Sequence, residues 1–284
     1  MLDTVLAIGS ATLRFWTPLA FAAMGGVLSE RAGVVNIALE AMLLAGCFAS
    51  VAAAQATGSA FAGIVAGIAA GAFVGLLHAV FTQKLHVAHI LSGVGLNLGL
   101  LGFTTYAVRL YKDGELETKA TLPDWVTTVL AFVAVGTLLF VFNKTAVGLR
   151  LRAVGENAAA ARSAGVNVSA LRYGAVVLSG ALAGLGGVAL ALTGLGSFQQ
   201  NMTAGRGYIA LAAVIFGRWH PLGAALAALF FAFGTALQIA FQTYGVKIPP
   251  DFLGLLPYAL TLVALAFMGS KNAAPAALGT DDSP

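Results

Sequence analysis

The sequence predicts an all-α, polytopic membrane protein with eight to nine transmembrane helices and an inverted internal repeat. Three observations lead there. Of the 284 residues, 59% are hydrophobic and only 9% charged, a balance that a water-soluble domain of this length could not cover with a polar surface. Apolar runs long enough to cross a hydrocarbon core of about 30 Å recur along the chain between short polar joints. These runs are apolar all round and rich in Gly and Ala, without the apolar/polar alternation in strands of about ten residues that a β-barrel requires.

Helices are expected at 5–28, 36–54, 58–82, 88–109, 124–143, 173–193, 208–217, 221–241 and 252–269, the seventh being too short to cross comfortably by itself. The first run carries Arg14 and Pro18 and ends at Ser29-Glu30-Arg31 with no small-residue cleavage pattern, so it reads as a span and not as a removable signal peptide. In the third, Gly63, Gly67, Gly71 and Gly75 recur every fourth position and lay a flat stripe on one face, where a neighbouring helix can approach closely. Cys47 lies alone in an apolar run, which leaves no intrachain disulfide and no cysteine metal site.

Charge sets the orientation. From Lys144 to Arg172 five basic residues face one acid, Glu156, whereas from Arg109 to Asp124 three basic residues meet four acids. Short cytoplasmic loops collect Lys and Arg, so the first segment is expected inside and the second outside. Propagated along the chain, this places Glu30-Arg31, Lys84, Arg218-Trp219-His220 and the tail from Lys271 in the cytoplasm. The basic residues fit a topology signal and give no support to a nucleic-acid role. Outside, Phe198-Gln199-Gln200-Asn201 and the loop from Tyr111 to Trp125 are polar and aromatic enough to meet a soluble partner, or are ordinary solvated turns.

Two parts of the chain resemble each other. Ile37-Ala38-Leu39-Glu40-Ala41 echoes Ile209-Ala210-Leu211-Ala212-Ala213, and each precedes a small-residue helix, a polar joint and a last apolar helix. The expected organisation is a single transmembrane domain over 1–284. It comprises a first repeat at 5–109, a linking helix at 124–143, a cytoplasmic segment at 148–170, a second repeat at 173–270 and a tail at 271–284 without fixed structure. The odd linking helix inverts the second half, and in transporters built this way short or Gly-interrupted helices at the repeat interface mark the substrate path. The segments beginning near Asn36 and Gly207 are therefore the places to look.

Glu40 stands apart from the other acids because it lies inside an apolar run, where an ionised side chain costs at least about 2.5 kcal/mol unless it faces protein or water. Asn36, four residues earlier, would share its helical face or cap the helix start. Either the pair faces the translocation path, or it forms a structural hydrogen bond that locks two helices, with Arg31, Asn97 or a backbone N–H as the partner of Glu40. Asn97, mid-helix among Gly93, Gly95 and Gly99, is placed to bond a neighbouring helix or to line a cavity for a polar solute. His78, His86 and His89 lack an accompanying carboxylate or thiol, so no metal site is expected.

In the cytoplasmic segment, Asn157 can cap a short helix over Ala158 to Ala161, Arg162 suits its last turn, Gly165 can end it, and Ser169 can cap the next membrane helix. A compact helix with small side chains on its surface suits docking into a groove on another protein. Its alanine face would bury little area in lipid.

This segment resembles the coupling loop of ABC importer permeases in the branched-chain amino acid and ribose permease superfamily, with its Gly155-Glu156-Asn157 start, Ala-rich turn and closing Gly165-Val166. The stretch from Ser29 to Leu43, SERAGVVNIALEAML, more specifically resembles the signature of the smaller permease subunit of nucleoside-type importers. Gly205 to Gly217 and His220 to Ala224 agree, while Ala38 and Ala41 stand where that family often has Gly. The resemblance implies the permease subunit of an ATP-driven importer in the bacterial cytoplasmic (inner) membrane, non-enzymatic and without a cofactor of its own. A binding protein outside would deliver the solute, a second, related permease would complete the path, and a separate cytoplasmic ATPase would bind ATP and Mg. This chain has no Gly-x-x-x-x-Gly-Lys-[Ser/Thr] phosphate loop. Translocation-path residues are expected at Asn36, Glu40, Asn97 and Tyr208, and ATPase-coupling residues at Gly155, Glu156, Asn157, Arg162 and Gly165. The expected solute is a nucleoside, with a monosaccharide or branched-chain amino acid as alternatives. A secondary transporter that works alone, coupled through Glu40, is the alternative of a different class.

Overall fold

The computed structural model describes residues 2–111, 116–193, 196–243 and 274–280. Ten helices follow one another among the described residues: α1 (Leu2–Arg31), α2 (Leu39–Thr57), α3 (Ala60–Gln83), α4 (His89–Val108), α5 (Asp124–Lys144), α6 (Ala146–Glu156), α7 (Ala158–Ser163), α8 (Val168–Leu192), α9 (Arg206–Phe216) and α10 (Pro221–Thr243). Seven of them, all but α6, α7 and α9, are long and apolar enough to cross a membrane. The count falls below eight to nine for two reasons. The 11 residues of α9 rise only about 16 Å, half of a hydrocarbon core, and the helix expected at 252–269 lies outside the described residues.

The two longest buried helices, α1 and α8, pack against each other at the centre. Each also packs on the helices that follow the other, α8 on α2 and α3, and α1 on α9 and α10. With no hydrophobic drive between helices in lipid, such contacts depend on close approach of backbones. The glycine stripe of α3 provides it. A Cβ on Gly71 would lie 2.6 Å from Gly184 Cα, one on Gly75 2.7 Å from Val176 O, and one on Gly63 2.7 Å from Ser50 O. Facing them, α8 brings Gly180 and Gly184, whose added Cβ atoms would strike the backbone of Gly71 and Gly67.

Several boundaries differ from the sequence reading. The first, α2, begins at Leu39 and not near residue 36, because residues 32–38 run as non-helical chain after α1. A further helix, α6, precedes the short helix α7; Thr145 starts α6 by accepting from the Gly148 N–H at 3.2 Å. The next membrane helix starts at Val168 under an Asn167 cap, whose Oδ1 accepts from the Ala170 N–H at 3.0 Å. Ser169 is therefore inside α8, and Arg172 is a buried helical residue instead of a loop cation.

Two strands of two residues each, β1 (Leu116–Glu117) and β2 (Ser197–Phe198), pair antiparallel at the end that charge assigns to the outside. Phe198 is buried there with its ring 5.4 Å from that of Phe48, which leaves Gln199, Gln200 and Asn201 as the exposed part of that stretch. The tail expected to lack fixed structure instead contributes turns over 274–280. Their Ala277 N–H donates to Gly155 O at 2.8 Å and their Gly279 N–H to Gly33 O at 3.0 Å.

Gly71→Ala is expected to cost about 1–3 kcal/mol through overpacking against α8, read as a lower thermal unfolding midpoint of the purified protein. Gly95→Ala, where an added Cβ meets nothing within 4 Å, is expected to leave the midpoint unchanged.

Candidate functional site

Within a membrane every backbone polar group must find a partner in the protein, and non-helical backbone is tolerated only where it is buried or lines a cavity. Residues 32–38 and the chain entering α9 both test this rule. They meet at Glu40, in the first turn of α2. Glu40 Oε1 accepts from the Thr203 hydroxyl at 2.6 Å and from the Gly205 N–H at 2.8 Å, and Oε2 accepts from the Gly207 N–H at 2.6 Å. The first N–H groups of a helix have no partner in their own helix, and its dipole favours an anion there. The carboxylate of α2 thus satisfies the start of α9.

Glycine makes the approach possible. Gly205 holds φ at +84°, and a Cβ on Gly207 would lie 2.5 Å from Glu40 Cα and 2.8 Å from its Oε2. Glu40 is 8% exposed. Of the two roles open to it in the sequence, the geometry supplies the bonds of a lock between helices, with backbone N–H groups as partners and neither Arg31 nor Asn97.

Asn97 completes the junction. Its Oδ1 accepts from the Ala41 N–H at 2.9 Å, while Nδ2 donates to Ile37 O at 3.0 Å and to the Tyr208 hydroxyl at 2.9 Å. Three elements, α2, α4 and α9, are tied by one amide. Tyr208 is 46% exposed with its hydroxyl held, so it presents a fixed aromatic side chain beside two helix starts.

Asn36 sits apart. It is fully buried, precedes α2 instead of sharing a helical face with Glu40, and does not cap it, since Ala38 holds the cap position without a side-chain bond. Its Nδ2 donates to Ser179 Oγ of α8 at 2.8 Å, and its Oδ1 has no hydrogen-bond partner among the described residues.

Further backbone groups of 32–38 are met by side chains. Arg172 Nε donates to Ala32 O at 3.1 Å and Ser29 Oγ to Val34 O at 2.9 Å. His78 donates through Nε2 to Val35 O at 3.0 Å, and the Val35 N–H donates to His89 Nδ1 at 3.2 Å. A carbonyl cannot donate, so His78 carries its proton on Nε2 and uses Nδ1 to accept from Ser92, 2.9 Å away. His89 and His78 thus hold the N–H and the carbonyl of one residue, Val35, and among the described residues no group of three His, Cys, Asp or Glu could hold a metal.

The second surface is the short helix α7. Asn157 Oδ1 caps it by accepting from the Ala160 N–H at 2.9 Å. Arg162 stands exposed in the last turn, and Gly165 follows with φ +82°. Ala159, Ala160 and Ser163 are exposed as well. Gly155 is instead buried, where a Cβ would strike the carbonyl of Arg31. Glu156 lies 3.7 Å from the Arg31 guanidinium. The five residues predicted for coupling are thus near one another but divide between an exposed helix and its seat.

Residues 9–265 match the family described as the permease component of the branched-chain amino acid transport system. The chain belongs to that family. This permease is accordingly a multi-pass protein of the bacterial cytoplasmic membrane, a transport component and not a catalyst, of a kind that associates with an ATPase and a substrate-binding protein. It is 37% identical to the nucleoside ABC transporter permease protein NupC of Lactococcus lactis subsp. cremoris, over 99% of this chain and 98% of that protein. It is also 37% identical to the guanosine ABC transporter permease protein NupQ of Bacillus subtilis, over 95% and 94% of the two. Among solved structures, a metal-chelate type ABC transporter in an inward-facing conformation shares the fold at a TM-score of 0.57 and 18% identity, covering 91% of this permease and 85% of that chain.

Sequence reasoning missed Thr203, Ser179, Glu30 and Trp219 as parts of these sites. The Trp219 indole N–H donates to Glu30 Oε2 at 2.5 Å, with both side chains buried. The available signal was topological: charge had put Glu30-Arg31 and Arg218-Trp219-His220 on the same side of the membrane.

Glu40→Ala in this permease is expected to cost on the order of 1–3 kcal/mol by stranding buried donors, with Glu40→Gln, which keeps one acceptor oxygen, in between. Denaturant or thermal unfolding of the purified variants measures both.

Proposed function

We propose that this permease is one of two related subunits that together form the path of an ATP-driven importer for nucleosides. The observation that carries the substrate class is the 37% identity, over nearly the whole chain, with permeases named for nucleosides and for guanosine. The geometry fits it. A nucleoside offers an aromatic base and a polar ribose, and the junction of α2, α4 and α9 offers the exposed aromatic side chain of Tyr208 with Asn97 behind it. In this reading Tyr208 and Asn97 touch the path, and Glu40 and Asn36 hold its wall from behind.

The exchange of helices between the two halves, α8 on α2–α3 and α1 on α9–α10, supports an inverted repeat of 5–109 with 173–270 joined by α5. The starts of α2 and α9 would then be equivalent breaks meeting at the repeat interface, where transporters of this plan place their solute. The exposed α7 would dock on the partner ATPase, which binds the ATP and Mg. A stand-alone carrier coupled through Glu40 finds no support, because both carboxylate oxygens are engaged in tying α2 to α9. A binding protein outside would bring the nucleoside to the path.

The complete importer, assembled with its ATPase, second permease and binding protein in proteoliposomes, is expected to accumulate guanosine in an ATP-dependent manner. Accumulation of a monosaccharide or a branched-chain amino acid instead would reject the nucleoside reading. Loss of base stacking, worth about 1–3 kcal/mol, predicts that Tyr208→Ala raises the KM for guanosine about tenfold while Tyr208→Phe stays near the parent. Replacing Glu156, Asn157 and Gly165 together is expected to uncouple ATP hydrolysis from uptake while the protein remains inserted, and unchanged uptake would reject the docking role of α7.

A further inference from the structure

At the end of the bundle that carries α7, segments far apart in sequence are fastened to one another. Arg31, the last residue of α1, lies at the centre. Its Nε donates to Trp219 O at 2.7 Å and Nη2 to Arg218 O at 3.4 Å, while Nη1 faces Glu156 at 3.7 Å. A guanidinium carries five donors in a rigid plane, so one side chain can hold two directions at once. Arg218 and Trp219 make the turn after α9 with φ +54° at both residues, and Glu30 pins the Trp219 indole from the other side.

The tail adds a second fastening between the same elements. Its Ala277 N–H bonds Gly155, its Gly279 N–H bonds Gly33, and its Ala276 N–H reaches Glu156 Oε2 at 3.5 Å. Gly155 and Glu156 end α6 directly before Asn157 caps α7. Gly33 is the second residue of the non-helical chain that leads into α2.

These fastenings define two routes from α7 to one place. Through Arg31 and the 218–219 turn, α7 is joined to the inner end of α9, whose other end carries Gly205 and Gly207. Through the tail and Gly33, α7 is joined to the chain that ends at Glu40. The two routes converge on the two halves of the Glu40 contact.

We propose that Arg31 and residues 274–280 form a joint that makes α7, the α1–α2 break and the turn after α9 move as one body. Arg31 is in this account a positioning residue that transmits force and touches no solute. The inference rests on the docking role of α7 proposed above.

The test uses the complete importer in nanodiscs, with spin labels at Ser163 and His220, both exposed. The distance between the labels is expected to be the same in the nucleotide-free and ATP-trapped states. In Arg31→Gln, and separately in a chain ending at residue 273, the distance distribution is expected to broaden between the two states. Uptake per ATP hydrolysed is expected to fall about tenfold, within the usual range of coupling energies, while the ATPase still co-purifies. A label distance that changes between states in the parent importer would overturn the joint, as would variants that retain full uptake per ATP. The shortened chain leaves Arg31 in place, so the tail route can be read even if Arg31→Gln fails to insert. Failure of the docking reading is seen separately, as absence of a disulfide cross-link between Ala160→Cys and cysteines on the ATPase.

Discussion

The structure depends on satisfying the backbone of two helix starts inside a membrane. Residues 32–38 and the entry to α9 are non-helical or freshly helical chain in a setting where water cannot supply the missing hydrogen bonds. Each orphaned group must be met by a partner from another part of the fold, and most of those partners are side chains. Glu40 meets the start of α9, and Asn97 meets both flanks of the α2 start. Arg172, His78, His89 and Ser29 meet the chain before α2. Polar residues that look anomalous in an apolar sequence are the means by which the backbone is allowed to break.

The breaks matter because a continuous helix has nothing to offer a polar solute. Its backbone is consumed by its own ladder, and in lipid its side chains are mostly apolar. Where the helices stop, side chains such as Tyr208 and Asn97 are brought together at depth and fixed in orientation. The glycine faces of α3 and α8 serve the same end indirectly. They let backbones approach closely enough for the bundle to hold its shape, so that a polar junction can be placed by packing alone.

The cytoplasmic end follows a different physical logic. There the bonds are between charged side chains and the ends of helices and turns, as in the Arg31 guanidinium with the carbonyls of Arg218 and Trp219 and the carboxylate of Glu156. Such bonds tolerate contact with water, as at the exposed Glu156, while Glu30, Trp219 and Gly155 beside them are buried. That suits a region expected to meet a soluble motor, while the small exposed side chains of α7 present a surface with little side-chain entropy to lose on docking.

By itself the sequence determined what long-range apolarity and local capping can determine. The spans of α1 to α5, α8 and α10 follow from runs of apolar residues, and the glycine stripe of α3 from its period. The α7 cap at Asn157 and stop at Gly165 follow from short-range hydrogen bonding and left-handed backbone. It also singled out Glu40, Asn97 and the starts near Asn36 and Gly207, because ionisable or amide groups and small residues are conspicuous in lipid. Only the tertiary structure decided their partners. Thr203 and Gly207 lie more than 160 residues from Glu40, and no periodicity reports a contact at such separation. The same holds for Ser179 beside Asn36, for Trp219 against Glu30, and for the 274–280 turns, which belong to a tail that reads as chain without fixed structure until Gly33 and Gly155 accept their N–H groups. Local sequence states which groups need a partner. The packing of α1 and α8, each onto the other's following helices, decides which partner arrives.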